Sequence, residues 1–225
     1  VDAKLKGLIP KGAPVDLGLL ASPMGVLVSL TTKGKQSVPE KNRNLLQKLA
    51  NDIRSRLNEW LFAEGGDTME AVVGRELATQ GLMVAVAESC TGGLISHRLT
   101  QVAGSSAYLD RGAVCYSNRS KTEMLGVPAE LIAQHGAVSK EVAAAMACGI
   151  RERANVSVGL SVTGIAGPGG GTETKPVGLV YVGLDDGTGR PVTREFRFHG
   201  DRNVIKQRSS QAALDVLRRW LLDKA

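Results

Sequence analysis

The pattern of apolar and polar positions divides the chain near residues 63–67. Before that point, two apolar runs flank the turn-forming residues SPMG at 22–25, which predicts an antiparallel hairpin. After Pro39, apolar residues recur at helical spacing, which predicts a long amphipathic helix with the apolar positions Leu45, Leu46, Leu49, Ile53, Leu57, Trp60 and Leu61. These elements predict a small α+β domain over residues 1–65, and AEGGD at 63–67 is typical of a linker or tight turn.

The rest of the chain, residues 66–225, alternates between helical and extended patterns. The predicted strands cover residues 82–87, 112–117, 156–164, 177–184 and 191–199. Predicted helices begin at Asp67 or Thr68, after Thr91, at Pro128, at Ser139 and before Val204. DDGTGR between the last two strands predicts an antiparallel hairpin. The pattern therefore predicts an α/β fold, a three-layer α/β/α domain with a mixed sheet.

Composition narrows the class of protein. The chain has 225 residues, of which 43% are hydrophobic, enough to bury a sizeable core. No apolar run approaches the roughly 18 to 20 residues of a membrane span, and the N-terminus lacks the pattern of a signal peptide, so we expect a cytoplasmic protein. The sequence begins at Val1 and not at Met, as a fragment of a longer polypeptide would.

Cysteine content and charge exclude further classes. Three cysteines, Cys90, Cys115 and Cys148, form no CxxC pair and are too few for a disulfide framework, so we expect free thiols. The formal charge of +6 is dispersed, and the eight aromatic residues offer few stacking platforms. A solvated basic surface with a local anion pocket is favoured over nucleic-acid binding.

The segment AESCTGG at 87–93 carries the most chemical information. It places Ser89, Cys90 and two glycines where a buried strand passes into a helix, the edge of an α/β sheet at which ligands bind. The first amides of that helix are expected to hold the oxyanion of an acyl-transfer intermediate or a phosphate. In the alternative interpretation, Ser89 only caps the helix and the glycines only form a turn.

A nucleophilic serine needs a base. None of the three histidines, His97, His135 and His199, has the sequence context of a familiar triad. Lys121, in YSNRSK just after a predicted strand, is the alternative, because a desolvated lysine loses its proton more readily. The competing interpretation of Lys121 is a solvent-facing lysine on a short helix.

A second glycine-rich run, TGIAGPGGGTETKP at 163–176, lies between two predicted strands. Its spacing matches neither the Walker motif nor the dinucleotide fingerprint. Its small residues allow a ligand to approach the backbone closely, and a mobile surface loop without a ligand is the alternative.

Several long segments, in the same order, resemble the C-terminal domain of the CinA family of competence/damage-inducible proteins. They are AESCTGG, AGSSAYLDRGAVCYSNRSK at 103–121, LIAQHGAVS at 131–139, SVTGIAGPGGG, KPVGLVYVG and GDR at 200–202. The resemblance covers about residue 67 to the C-terminus. Residues 1–65 resemble the small KH-type domain of longer family members, but they lack a GxxG loop, so RNA binding is not inferred.

The resemblance implies a nicotinamide mononucleotide deamidase that needs no metal and no cofactor, acts on a small-molecule substrate and forms at least a homodimer. It implies Ser89 as nucleophile, Lys121 as its base and Tyr116 as the hydroxyl partner. The substrate-binding residues expected around them are Thr91, Gly92, Gly93, Ser105, Arg111, Asn118, Thr163, Gly164, Ala166, Gly167, Lys175 and Arg202. Among these, backbone amides and the charges of Arg111, Lys175 or Arg202 would bind the substrate phosphate.

Three other functions remain open from the sequence. The family's name and the basic charge suggest a non-enzymatic regulator of competence or DNA damage that binds nucleic acid. Cys90 would make the protein a thiol hydrolase, because a thiol is the better intrinsic nucleophile. A phosphate-ester or pyrophosphate hydrolase would need carboxylates placed for magnesium, and residues 67–225 show no such cluster in sequence.

Overall fold

A computed structural model of the chain describes residues 1–32 and 39–224. The chain forms two compact units, Val1–Gly66 (unit 1) and Asp67–Ala225 (unit 2). In the described part of the chain, no helix is both long and apolar enough to cross a membrane.

Unit 1 is a hairpin with helices. Its elements are α1 (Asp2–Leu5), β1 (Val15–Ser22), β2 (Gly25–Thr32), α2 (Glu40–Leu57) and a 3-10 turn (Asn58–Trp60). The hairpin predicted at residues 22–25 is confirmed: β1 and β2 are antiparallel, and Ser22 pairs with Gly25 across the turn. The core joins α2 to the hairpin and α1 through Leu5, Leu8, Val15, Leu49, Ile53 and Leu57. The prediction that this helix includes Trp60 and Leu61 is wrong, because α2 ends at Leu57, and Trp60 is 61% exposed.

Unit 2 contains six helices and five strands in its described residues. The helices are α3 (Met69–Thr79), α4 (Leu94–Thr100), α5 (Asn118–Leu125), α6 (Ala129–His135), α7 (Lys140–Ala154) and α8 (Arg202–Lys224). The strands are β3 (Val84–Glu88), β4 (Leu109–Val114), β5 (Val158–Gly164), β6 (Leu179–Asp185) and β7 (Val192–Arg197). Thr68 and Ser139 cap α3 and α7 as the sequence predicts, each accepting a backbone amide with its hydroxyl.

The strands form one mixed sheet in the order β4-β3-β5-β6-β7. β3 is parallel to both β4 and β5, whereas β6 is antiparallel to β5 and to β7, so the predicted hairpin of the last two strands is confirmed. All five residues of β3 are buried, as expected for a strand covered on both faces.

Helices cover both faces of the sheet and make the predicted three layers. α7 packs on one face, where Val142, Met146 and Ile150 belong to one apolar cluster with Ala85 and Ala87 of β3. α3, α4 and α8 pack together on the other face, and α8 contributes buried Leu214 and Leu217 there. The fold is therefore a mixed α/β fold in which the two layers of helices cover the central strands β3 and β5.

All five predicted strands differ from the observed ones at one or both boundaries, and the differences at β3 and β4 concern the site. β4 covers 109–114 and not 112–117, and β3 covers 84–88 and not 82–87. Cys115, Tyr116 and Ser117 thus leave the sheet and form the connection to α5. This shift matters for the site, because it frees the carbonyl groups of Cys115 and Tyr116 from strand pairing.

Candidate active site

Three parallel strands end at the same edge of the sheet, and their ends build a cavity. Ser89 directly follows β3, and its amide donates to the carbonyl of Val162 in β5. Cys115 directly follows β4, and its amide donates to the carbonyl of Glu88. The carboxyl ends of parallel strands are the usual place for ligands in such sheets. The cavity here is about 170 Å³ and is lined by Ser89, Cys90, Tyr116, Lys121, Ala137, Val138, Thr163, Gly164, Ala166 and Arg202.

Lys121 reaches this cavity from α5. The hydroxyl of Ser117 caps the helix by accepting the amide of Ser120, and the fourth residue of the helix then points inward. The lysine is only 1% exposed, so the alternative of a solvent-facing side chain is wrong. Its Nζ lies 3.1 Å from Ser89 Oγ and donates to the carbonyls of Cys115 (2.9 Å) and Tyr116 (3.1 Å).

The surroundings of Lys121 favour its neutral form. Burial lowers the pKa of Lys121 below its ordinary value, because an ammonium group loses hydration in this position. Among the described residues no carboxylate forms an ion pair with it. A buried amine with a lowered pKa beside a hydroxyl is the arrangement in which a lysine can accept a serine proton.

Glu88 organises the turn that carries Ser89. Its fully buried carboxylate accepts the amides of Gly93 (3.0 Å), Ile95 (3.1 Å) and Ser96 (2.8 Å), and also the Ser96 hydroxyl (2.7 Å). Four donors satisfy the carboxylate, which in turn caps α4 in place of an external anion.

Several of the amides that the sequence predicts for an oxyanion or a phosphate are already occupied in the structure. The amide of Gly93 binds Glu88, and the amide of Gly92 donates to the Ser89 carbonyl within the turn. Both glycines have positive φ, which this tight turn requires. By contrast, the amides of Cys90 and Thr91 donate to no other residue within the described residues.

Sequence reasoning missed Glu88. The signal was a single acidic residue at the end of an apolar strand, immediately before the serine and the two glycines. A carboxylate at that position meets the start of the following helix, where amides lack intrahelical acceptors.

Cys90 is present in the cavity but is poorly suited to nucleophilic attack. Burial raises the pKa of its thiol to about 12, so the thiolate is scarcely populated near neutral pH. Its sulfur also packs tightly: a Cβ added at Gly164 would lie 3.1 Å from it and 2.7 Å from Val180. Only glycine fits at residue 164, and Cys90 acts as part of that packing.

Tyr116 and Arg202 lie together at the edge of the cavity. The Tyr116 side chain is 62% exposed, and its hydroxyl accepts from Arg202 Nη2 at 3.2 Å. Arg202 Nη1 donates to the carbonyl of Gly167 at 2.6 Å, so the guanidinium fixes the second glycine-rich segment. Tyr116 contacts Lys121 through its backbone carbonyl, whereas its hydroxyl makes its hydrogen bond with Arg202.

The structure brings some of the expected substrate-binding residues to the cavity and leaves others elsewhere. Those that line it are Thr163, Gly164, Ala166 and Arg202. Thr91 is fully buried, and its hydroxyl has no partner among the described residues. Three further expected residues do not line the cavity. Ser105 begins a 3-10 turn, Arg111 pairs with Asp110 on β4, and Asn118 begins α5. None of the three histidines lines the cavity.

Lys175 belongs to a second, neighbouring cavity of about 470 Å³. Its ammonium donates to the carbonyls of His135 (2.5 Å) and Val138 (2.7 Å), and this cavity is lined by His135, Val138, Ser139, Lys140, Glu141, Lys175, Tyr181, Thr193 and Glu195. The Thr163 hydroxyl donates to the carbonyl of Ala137 at 2.8 Å. Ala137 and Val138 thus form a wall of the Ser89 cavity, and Lys175 and Thr163 fix it.

In the described part of the chain, no group of three or more His, Cys, Asp or Glu side chains could hold a metal ion.

Comparisons with known proteins agree on one family. A family model described as the CinA C-terminal domain matches residues 66–221. A CinA-like protein of Citrifermentans bemidjiense is 48% identical over 220 residues, which is 98% of this chain and 51% of that protein. A CinA-like protein of Koribacter versatilis is 44% identical over 222 residues, 99% of this chain and 53% of that protein. The chain spans about half the length of the curated relatives it matches.

Solved structures give the same result. The competence/damage inducible protein CihA from Agrobacterium tumefaciens is 42% identical with a TM-score of 0.64, and the match covers 72% of this chain and 98% of that one. A CinA superfamily protein from Klebsiella pneumoniae is 32% identical with a TM-score of 0.66, and the match covers 69% of this chain and 96% of that one.

Proposed function

Since this chain belongs to the CinA family, whose C-terminal domain its residues 66–221 match, we propose that it is an amidohydrolase that converts nicotinamide mononucleotide to nicotinate mononucleotide and ammonia. The observation that carries the proposal is the 3.1 Å contact between Ser89 Oγ and a buried Lys121 Nζ. A serine paired with a desolvated lysine is a known arrangement for attack on an amide carbonyl.

The first half-reaction forms an acyl-serine. Neutral Lys121 takes the proton of the Ser89 hydroxyl as Oγ attacks the carboxamide carbon, and the carbonyl oxygen becomes an oxyanion. The C–N bond then breaks, and the ammonium of Lys121 returns its proton to the departing nitrogen, which leaves as ammonia. The buried position of Lys121 serves both steps, because a lowered pKa makes the amine easier to obtain as a neutral base and its ammonium a stronger acid.

Water completes the reaction. It loses a proton to Lys121 as it attacks the ester carbon, the bond to Ser89 Oγ breaks, and the proton passes to that oxygen. The product is nicotinate mononucleotide, and Ser89 and neutral Lys121 are restored.

The oxyanion needs donors that the protein has not already used. Glu88 and the Ser89 carbonyl occupy the amides of Gly93 and Gly92. The amides of Cys90 and Thr91 are the available donors of the turn, and the amide that follows the nucleophile is a common oxyanion donor in serine hydrolases. We assign oxyanion stabilisation to this pair.

Ammonia release from nicotinamide mononucleotide tests the proposal, with ADP-ribose hydrolysis as the control for a pyrophosphatase. Two neighbouring variants separate the nucleophiles. Ser89→Ala should lower kcat/KM by at least about 10³-fold, whereas Cys90→Ala should stay within about tenfold of the unmodified protein. The reverse order would move the nucleophile to the thiol. Salt-sensitive DNA binding without ammonia release would overturn the amidohydrolase and favour the regulator.

A further inference from the structure

Lys206 is a cation, in addition to Arg202, that lies beside the turn carrying Ser89. Lys206 is on α8, four residues after Arg202, so the two side chains share one face of the helix. A Cβ added at Gly92 would lie 3.6 Å from Lys206 Nζ. The ammonium of Lys206 therefore reaches from α8 to the turn between β3 and α4. The positive charge of Lys206 also acts on Cys90. Burial raises the pKa of that thiol, and the charge of Lys206 opposes the rise.

Neither cation at this end of the cavity forms an ion pair with a carboxylate of residues 1–32 or 39–224. Lys206 forms no hydrogen bond and no ion pair with any residue that the structure describes. Arg202 donates to two uncharged acceptors, the carbonyl of Gly167 and the hydroxyl of Tyr116. The nearest acidic residue in sequence, Asp201, uses its carboxylate to accept the amide of Val204. The Glu88 carboxylate already has four donors.

The size of the cavity indicates where a charged group of the substrate would lie. At about 170 Å³, the cavity is smaller than the roughly 300 to 1,000 Å³ typical of sites that enclose a whole small-molecule ligand. It accommodates the reacting end of a mononucleotide beside Ser89, and the remainder must extend past its edge. Arg202 lines this edge, and Lys206 lies on the same helix face next to it.

We propose that Lys206, together with Arg202, binds the phosphate monoester of the substrate and makes the site selective for the mononucleotide over its nucleoside. A phosphate monoester carries a charge of about −1.5 to −2 near neutral pH, which matches two cations one helical turn apart. A dianion between them removes their mutual repulsion and gives Lys206 the partner it lacks. The assignment rests on the proposed deamidase function and adds to it the residue that distinguishes substrates.

Substrate pairs that differ only in the phosphate provide the test. The kcat/KM for ammonia release is measured with nicotinamide mononucleotide and with nicotinamide riboside for Lys206→Met, Lys206→Arg and the unmodified chain. Lys206→Met should lower kcat/KM for the mononucleotide by about 10- to 100-fold, mainly through KM, and leave the value for the riboside within about twofold. Lys206→Arg should restore most of the loss. Equal losses for both substrates, or no loss for either, would overturn the assignment.

A matched control comes from the same helix. Lys224→Met removes the same charge at the far end of α8, about 27 Å along the helix axis from Lys206. It should leave both substrates unchanged. A loss of selectivity in Lys224→Met equal to that in Lys206→Met would show that net charge, and not a local contact, sets the preference, and would overturn the assignment.

Binding without turnover separates this inference from the deamidase proposal. Nicotinamide mononucleotide is titrated calorimetrically into Ser89→Ala and into Ser89→Ala combined with Lys206→Met. An affinity at least about tenfold weaker in the double variant supports the phosphate contact even if the unmodified protein releases no ammonia, an outcome that would overturn only the deamidase. Equal affinities, or no binding to Ser89→Ala, would overturn the Lys206 assignment even if ammonia is released.

Discussion

Ser89 and Lys121 lie 32 residues apart in sequence, and their side-chain oxygen and nitrogen are 3.1 Å apart in the fold. The carbonyls of Cys115 and Tyr116 occupy two further positions around the nitrogen. A neutral amine has two N–H groups for these carbonyls, and its lone pair then faces the Ser89 hydroxyl. An ammonium fills that third position with an N–H, so the serine proton has no acceptor there. The protonation state of Lys121 thus controls the activation of Ser89.

The first prediction is that activity follows the titration of Lys121. Because burial lowers the pKa of Lys121, kcat/KM should rise with pH through that lowered value and then level off. Lys121→Arg should lose about 10²- to 10⁴-fold in kcat, since a guanidinium stays protonated. Lys140→Arg, the same change at an exposed position of α7, should behave like the unmodified protein. Near-normal turnover of Lys121→Arg with an unchanged pH profile would exclude the lysine base, and His97, His135 and His199 would then be replaced one at a time.

The second prediction concerns stability. The folded protein holds Lys121 at a pKa below 10.5, whereas the unfolded chain keeps that ordinary value. Between the two values the unfolded state binds more protons, so the free energy of unfolding rises with pH across this window. Lys121→Met lacks this titration. Urea unfolding at about pH 7 and about pH 10 should therefore show the unmodified protein gaining stability relative to Lys121→Met at the higher pH. A difference that does not change with pH would mean that burial leaves the lysine fully charged.

Much of the fold was predictable because its signals are local. Caps at Thr68 and Ser139, the alternation of strands and helices, and the turn at residues 22–25 each depend on a few neighbouring residues. The position of Ser89 at the end of a buried strand followed from the same pattern. The sequence context suggested Lys121 as a base, and the resemblance added Tyr116 and the role of each residue. Position along the chain alone did not distinguish a buried lysine from an exposed one.

What the sequence could not give are contacts between distant segments. Lys121 is buried because β4 ends at Val114 and leaves the carbonyls of Cys115 and Tyr116 to receive its nitrogen. The amide of Gly93 is occupied because it donates to the carboxylate of Glu88 in the preceding strand. The amide of Gly92 is occupied because it donates to the Ser89 carbonyl within the turn. Lys206 appeared in sequence as one basic residue among 28, and only the packing of α8 places it beside Gly92.

The third prediction tests Glu88 as a positioning residue for the nucleophile turn. Glu88→Gln replaces one acceptor oxygen with a donor that faces backbone amides, so a buried hydrogen bond is lost. Thermal unfolding should show a lower Tm, and kcat should fall by about tenfold or more while KM changes little, because Ser89 is displaced from Lys121. Ser96→Ala, which removes only the hydroxyl donor to the same carboxylate, should have a smaller effect in the same direction. A kcat unchanged in Glu88→Gln despite a lower Tm would limit Glu88 to a purely structural role.

The fourth prediction concerns Tyr116, whose backbone carbonyl and side-chain hydroxyl have different hydrogen-bond partners. Tyr116→Phe keeps the carbonyl that receives Lys121 and removes the hydroxyl that accepts from Arg202. If the hydroxyl only orients Arg202, the loss should be about tenfold and should appear in KM. A loss near 10²-fold in kcat would instead assign the hydroxyl to proton transfer. Steady-state kinetics with nicotinamide mononucleotide distinguish the two results.

The last prediction is that residues 67–225 suffice for catalysis. Unit 2 contains every residue that lines the Ser89 cavity, together with Glu88 and Lys206, and it has its own apolar cluster between the sheet and α7. Unit 1 has a separate core built from α1, α2 and the hairpin, and the two clusters share no residue. A protein that starts at Asp67 should therefore unfold cooperatively and release ammonia with a kcat within about threefold of that of the full chain, as circular dichroism and the ammonia assay would show. A truncated protein with native circular dichroism but no ammonia release would mean that unit 1 contributes directly to the site or to an assembly that the site requires.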